Sequence, residues 1–127
     1  SREGEKKMMA KIEDLIGKVL TNVDNDGREI IFTGDDGRKW KLYHENNCCE
    51  SVEVEDVIGY LSDLVGSPIM MAEEVSSEGY PDANKYDHDS YTWTFYKFAT
   101  VKGYVTVRWY GTSNGYYSES VDFEELA

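Results

Sequence analysis

The sequence predicts an α+β protein: two antiparallel β meanders, a helix connecting them and a helix at the N-terminus. Three observations predict it. Apolar residues alternate at period two in two separate stretches, Asp-Gly words punctuate the first stretch, and an apolar stripe at helical spacing lies between the stretches.

Residues 3 to 16, EGEKKMMAKIEDLI, place Met8, Ile12 and Leu15 or Ile16 on one side of a helix. Three strands follow, KVLTNV, REIIFT and RKWKLYH, separated by turns at Asp24-Asn25-Asp26-Gly27 and Asp35-Asp36-Gly37. Asp-Gly is favoured where a hairpin needs positive φ, so these strands form a meander. On the last strand Trp40, Leu42 and His44 share one face, and Lys39, Lys41 and Tyr43 the other. After the polar turn Glu45-Asn46-Asn47, the residues Val54, Val57, Ile58, Leu61 and Leu64 or Val65 make a helical stripe that ends before Gly66. Ser67-Pro68 leads into the strand IMMAEEVS, and residues 78 to 90 read as a loop.

Residues 91 to 118 contain ten aromatics, Lys97, Lys102 and Arg108, and no Asp or Glu, within a chain of net charge -12. Period two gives two strands around Lys102-Gly103. A third begins near Tyr116, after a turn at Gly111-Thr112-Ser113-Asn114-Gly115. On the middle strand Val105, Val107 and Trp109 face one way, and Tyr104, Thr106, Arg108 and Tyr110 the other. Trp93, Phe95 and Trp109 are expected in the core, since strands favour aromatics whatever their function.

The chain has 127 residues, the length of a single domain. Two similar halves are visible within it, 14–62 and 63–127. Asp14-Leu15-Ile16-Gly17 and Asp63-Leu64-Val65-Gly66 introduce them, and Glu50-Ser51-Val52-Glu53 and Glu119-Ser120-Val121-Asp122 close their strands. Such a repeat, or a chance likeness of short words, is compatible with one sequence.

The acidity argues against a sequence-independent grip on nucleic acid, which needs a basic surface. No apolar run approaches the ~18 residues of a membrane helix, so a soluble protein is expected. Cys48 and Cys49 are adjacent and read as free thiols of a reducing compartment, their Cα spacing of about 3.8 Å being short for a disulfide. With His44 and Glu50 they resemble metal ligands but lack a second pair at zinc spacing, so no metal or cofactor is expected. Asp82, Asn84, Asp87 and Asp89 do not fit a calcium loop. No nucleophile, base and orienter stand in a recognised motif, and no Walker or dinucleotide fingerprint occurs. The expectation is a binding protein and not an enzyme.

At Tyr43-His44 with Cys48-Cys49-Glu50-Ser51-Val52, at Ser90-Tyr91-Thr92-Trp93-Thr94-Phe95-Tyr96, and at Ser113-Asn114-Gly115-Tyr116-Tyr117-Ser118-Glu119-Ser120-Val121, the chain resembles a family of small tailed-bacteriophage proteins. The resemblance runs from about Leu15 to Phe123. It implies phage origin and a host cytoplasm and transfers no chemistry. Many small phage proteins counter bacterial immunity, by blocking a host protein or by soaking up a nucleotide alarm signal.

The residues and that class expectation together lead to a binding protein that sequesters a small nucleotide immune signal, a cyclic dinucleotide or an ADP-ribose derivative, without cleaving it. Tyr104, Arg108 and Tyr110, supported by Lys97, Lys102, Asn114 and Tyr116, are the candidate ligand-binding residues, because rings stack on a base and cations neutralise phosphate. The pocket lies within one chain or between chains of a homo-oligomer. The alternative is an acidic, nucleic-acid-mimicking inhibitor that meets a basic host defence protein through residues 45–56, 73–89 and 119–125.

Overall fold

A computed structural model describes residues 8–79, 90–114 and 118–126. In chain order they form β1 (Met8–Met9), a 3-10 helix (Ile12–Leu15), β2 (Leu20–Asn25), β3 (Glu29–Gly34), β4 (Lys39–Tyr43), β5 (Ser51–Ile58), a second 3-10 helix (Leu61–Leu64), β6 (Met71–Gly79), β7 (Ser90–Thr100), β8 (Gly103–Ser113) and β9 (Asp122–Leu126). One sheet has the order β1-β9-β4-β3-β2 and the other β5-β8-β7-β6. Every pairing of named strands is antiparallel.

The β-rich expectation holds, and both meanders are present as β2-β3-β4 and β6-β7-β8. The two α-helices are not: among the described residues only the two short 3-10 helices occur. The connecting helix was misread for a definite reason. A bulge between Val54 and Asp56 shifts the register of β5 against β8, so Val52, Val54 and Val57 turn toward the core and their neighbours toward solvent. One extra residue in a period-two strand spaces its inward side chains as a helix would. At the N-terminus, the Asp14 carboxylate accepts the Lys11 amide at 3.1 Å and closes a single turn. Leu15 and Leu64, which end the two 3-10 helices, are both fully buried.

The closing strand of each meander comes from the other half of the chain. β9 pairs with β4, and β5 pairs with β8. At the seam, residues 17–20 run beside 65–69. The Gly17 amide donates to the Ile69 carbonyl at 2.8 Å, the Ile69 amide to Lys18 at 2.9 Å and the Gly66 amide to Leu20 at 2.9 Å. Gly17 and Gly66 have nearly the same φ, +89° and +92°.

The core lies between the sheets. Phe32 on β3 meets Phe98 on β7 at 5.6 Å between centroids, and Phe123 on β9 at 6.2 Å. Trp40, Trp109 and Tyr96 fill the space around them. Their two indole N–H groups are buried without a hydrogen-bond partner among the described residues. Such groups cost stability that apolar packing must exceed.

Candidate functional site

Alternation along β7 and β8 divides their sheet into two chemically different faces. Thr94, Tyr96 and Phe98 on β7, with Val105, Val107 and Trp109 on β8, point into the core. Tyr91, Trp93, Phe95 and Lys97, with Tyr104, Thr106, Arg108 and Tyr110, are left on the outer face. The expectation that Trp109 is core holds. Trp93 and Phe95 are half-buried outer residues instead, because the inward positions of β7 are the even-numbered ones.

Cross-strand register assembles this outer face row by row. Ser77, Trp93, Tyr110 and Glu53 lie across one row, and Val75, Phe95, Arg108 and Asp56 across the next. Trp93 packs on Tyr110 with centroids 4.4 Å apart, and the Arg108 guanidinium carbon lies 5.4 Å from the Trp93 ring centre. Tyr91 reaches Tyr110 at 6.3 Å. Ser77, Trp93, Phe95 and Arg108 frame an open depression of about 220 Å³. Ligand pockets for drug-sized molecules run from roughly 300 Å³ upward, so this depression suits one planar ring and leaves anything larger on the surrounding sheet.

Arg108 does not stand alone. Its Nε donates to Glu55 at 2.7 Å, and one terminal nitrogen lies 3.5 Å from the Asp56 carboxylate. These acids are 42% and 50% exposed at the side chain, and ion pairs in water at such exposure are weak. They orient the guanidinium over Trp93.

The structure brings together only part of the predicted set. Arg108 and Tyr110 lie in adjacent rows beside Trp93 and Phe95. Tyr104 is on the same face but four residues along β8 from Arg108, about 13 Å at the rise of a strand, and it is 75% exposed. Lys97 is exposed in the row after Arg108, opposite Thr106 and Glu73. Lys102 is elsewhere: it sits in the β7–β8 turn, where its ammonium donates to the Val65 carbonyl at 2.6 Å. Asn114 follows the end of β8, because Gly111, Thr112 and Ser113 continue the strand and do not form the expected turn. Tyr116, the predicted start of the third strand, lies outside the described residues; the strand that is described there begins at Asp122 and belongs to the other sheet. His88 and the candidate calcium ligands Asp82, Asn84, Asp87 and Asp89 also lie outside the described residues.

Two buried carboxylates lie behind this face: Glu50, a metal-ligand candidate in the sequence, and Glu119. Glu50 accepts the Asn47 amide at 2.8 Å, the Cys48 amide at 3.0 Å and His44 Nε2 at 2.7 Å. The Asn47 amide chiefly, with the His44 ring and the Cys48 amide, outweighs burial and holds the Glu50 carboxyl at about 2, well below its ordinary 4.5. His44 Nδ1 faces the Ser120 carbonyl at 2.8 Å. A carbonyl and a carboxylate only accept, so both ring nitrogens of His44 face acceptors. Glu119 accepts the hydroxyls of Ser90, of Thr92 at 2.7 Å and of Ser113. The repeated Glu-Ser-Val words are the signal that could have found both acids.

The candidate metal group is spent on other bonds. His44 and Glu50 hold each other, and Cys48 and Cys49, expected as free thiols, are exposed and joined in a disulfide at a Cα spacing of 3.7 Å. In the same loop the amides of Asn47 and Cys48 both turn toward Glu50. No group of three or more metal-ligating side chains occurs among the described residues.

Fold and site define a two-sheet β protein with crossed closing strands and a half-open aromatic face. The chain belongs to the family described as Domain of unknown function (DUF7448), whose pattern matches residues 13–123. No curated protein and no solved structure matches it. No helix among the described residues is long and apolar enough to cross a membrane.

Proposed function

We propose that the protein is a phage-encoded binding protein that sequesters a small nucleotide immune signal, of the cyclic dinucleotide or ADP-ribose class, and releases it chemically unchanged. One observation carries this reading: Trp93, Phe95 and Arg108 face one depression, with the guanidinium carbon 5.4 Å from the Trp93 ring centre. A base stacked there gains roughly 1 to 3 kcal/mol, and a phosphate beside Arg108 replaces the loosely held Glu55 and Asp56. The site is therefore Trp93, Phe95, Arg108 and Tyr110, with Lys97 in reach of a longer ligand; Tyr104 and Lys102 are too far away to share it.

A second reading is favoured by the same Arg108 contacts. Glu53, Glu55 and Asp56 line β5 beside the aromatic rows, and the chain carries a net charge of -12. Carboxylates around exposed rings suit a basic protein, such as a host nuclease, and repel an anion. Of the regions first assigned to that contact, Glu50, Glu119 and Glu124 are buried and present no charge to a partner.

Calorimetry with a panel of signalling nucleotides, followed by chromatography of the released ligand, separates the readings. Tight binding with intact ligand, lost in Trp93→Ala and Arg108→Ala, supports sequestration. Hydrolysed ligand overturns it in favour of an enzyme. No binding across the panel, with capture of a basic partner that weakens steeply with salt, supports the inhibitor.

A further inference from the structure

The Cys48–Cys49 disulfide lies on an exposed loop at one end of a chain of polar contacts. Both cysteines face solvent, and the Cys48 amide donates to Glu50 at 3.0 Å. Glu50 holds His44 at 2.7 Å, and His44 holds the Ser120 carbonyl at 2.8 Å. The neighbouring Glu119 is fastened to Ser90, Thr92 and Ser113, at the ends of β7 and β8. The loop after β4 is thus tied, without a break, to the segment before β9.

We propose that Cys48–Cys49 is a thiol–disulfide exchange site, open to small thiols and dithiols, whose redox state sets how firmly residues 118–121 are held through Glu50 and His44. The exposed sulfurs give a thiolate access. One thiolate of a dithiol attacks either Sγ; the sulfur–sulfur bond breaks and the other Sγ leaves as a thiolate. The second thiolate then attacks the reagent's sulfur in the mixed disulfide and expels the remaining cysteine. Two electrons pass to the protein, the dithiol becomes a cyclic disulfide, and its two protons end on Cys48 and Cys49.

In the oxidised chain, the small ring encloses the peptide unit that follows the Cys48 amide and limits its rotation. Opening the ring lets the Asn47 and Cys48 amides turn away from Glu50 to water. Glu50 then orients His44 less firmly, and the Ser120 carbonyl loses a fixed donor. This consequence does not depend on what the outer face binds.

The test is hydrogen exchange, followed by mass spectrometry, on the whole chain with and without dithiothreitol, beside iodoacetamide labelling. Before reduction neither cysteine takes label; afterwards both do. Reduction is expected to speed exchange about tenfold in residues 45–50 and 118–121, the signature of local opening, with the β7–β8 ladder unchanged. The double variant Cys48→Ser, Cys49→Ser should match the reduced protein and ignore dithiothreitol. Label on both cysteines before any reductant overturns the proposal, as does exchange in 118–121 that is the same in both redox states. If the double variant fails to fold, the wild-type comparison alone decides.

Discussion

Trp93 on β7 and Tyr110 on β8 are directly opposed across the strand pair, their rings 4.4 Å apart between centroids and tilted by 44°. Neither belongs to the core between the sheets, so their contact stabilises the sheet from its solvent side. Cross-strand aromatic pairs of this kind contribute about 0.5 to 1.5 kcal/mol beyond area burial. Trp93→Ala and Tyr110→Ala, singly and together, should show a coupling of about that size in urea unfolding. Additive single effects would mean that the rings do not support one another.

Phe32 joins the two sheets through Phe98 and Phe123 and is fully buried. Phe32→Ala should lower unfolding free energy by about 3 to 5 kcal/mol, the range for a large side chain removed from a packed core. Denaturant titration measures it. A loss below about 1 kcal/mol would show that the sheets close over the gap.

Gly111 sits beneath the Glu119 backbone. A Cβ there would lie 3.1 Å from the Glu119 Cβ, the Glu119 carbonyl oxygen and a Val52 methyl. Two of these neighbours are fixed by the Ser90, Thr92 and Ser113 hydroxyls on the Glu119 carboxylate. Gly111→Ala should therefore destabilise by about 1 to 3 kcal/mol through overpacking, seen as a lower urea midpoint. An unchanged midpoint would place the Glu119 segment farther from β8.

Acid should expose the role of Glu50. Its pKa falls from an ordinary 4.5 to about 2 on folding, chiefly through the Asn47 amide. A depressed folded-state pKa adds stability that is complete above 4.5 and lost as pH falls from there toward about 2. In Glu50→Gln that contribution is absent at every pH. The stability gap between wild type and variant should shrink through this window, measured by urea midpoints at successive pH values. A gap that stays constant would remove Glu50 from the acid response, since the other carboxylates titrate alike in both proteins.

Much of the strand architecture was legible. The period-two runs and Asp-Gly turns located β2, β3, β4, β7 and β8, and the alternation of Val105, Val107 and Trp109 identified the buried face of β8. Local spacing failed at β5, where the bulge at Val54 to Asp56 imitates a helical stripe. It also could not show which side of β7 faces inward, because aromatics occupy both sides: Tyr96 and Phe98 within, Trp93 and Phe95 without. Of the candidate site, Arg108 and Tyr110, with Lys97 one row away, were legible in the sequence. Lys102 looked available from composition, and nothing in its neighbours announces the Val65 carbonyl that takes its ammonium. Glu50, a candidate metal ligand, and Glu119 fell within the acidic stretches expected to meet a partner, since their amide and hydroxyl donors come together only once the strands have closed.

The traded strands β5 and β9 make the two meanders mutually dependent. A chain severed between Gly59 and Tyr60 would give two polypeptides, each holding a piece the other lacks: β5 with the first, β9 with the second. Neither could finish its sheet in isolation, and recombination would become second order in concentration. The same bargain, struck between molecules instead of within one, is the route by which this topology would entangle copies of itself.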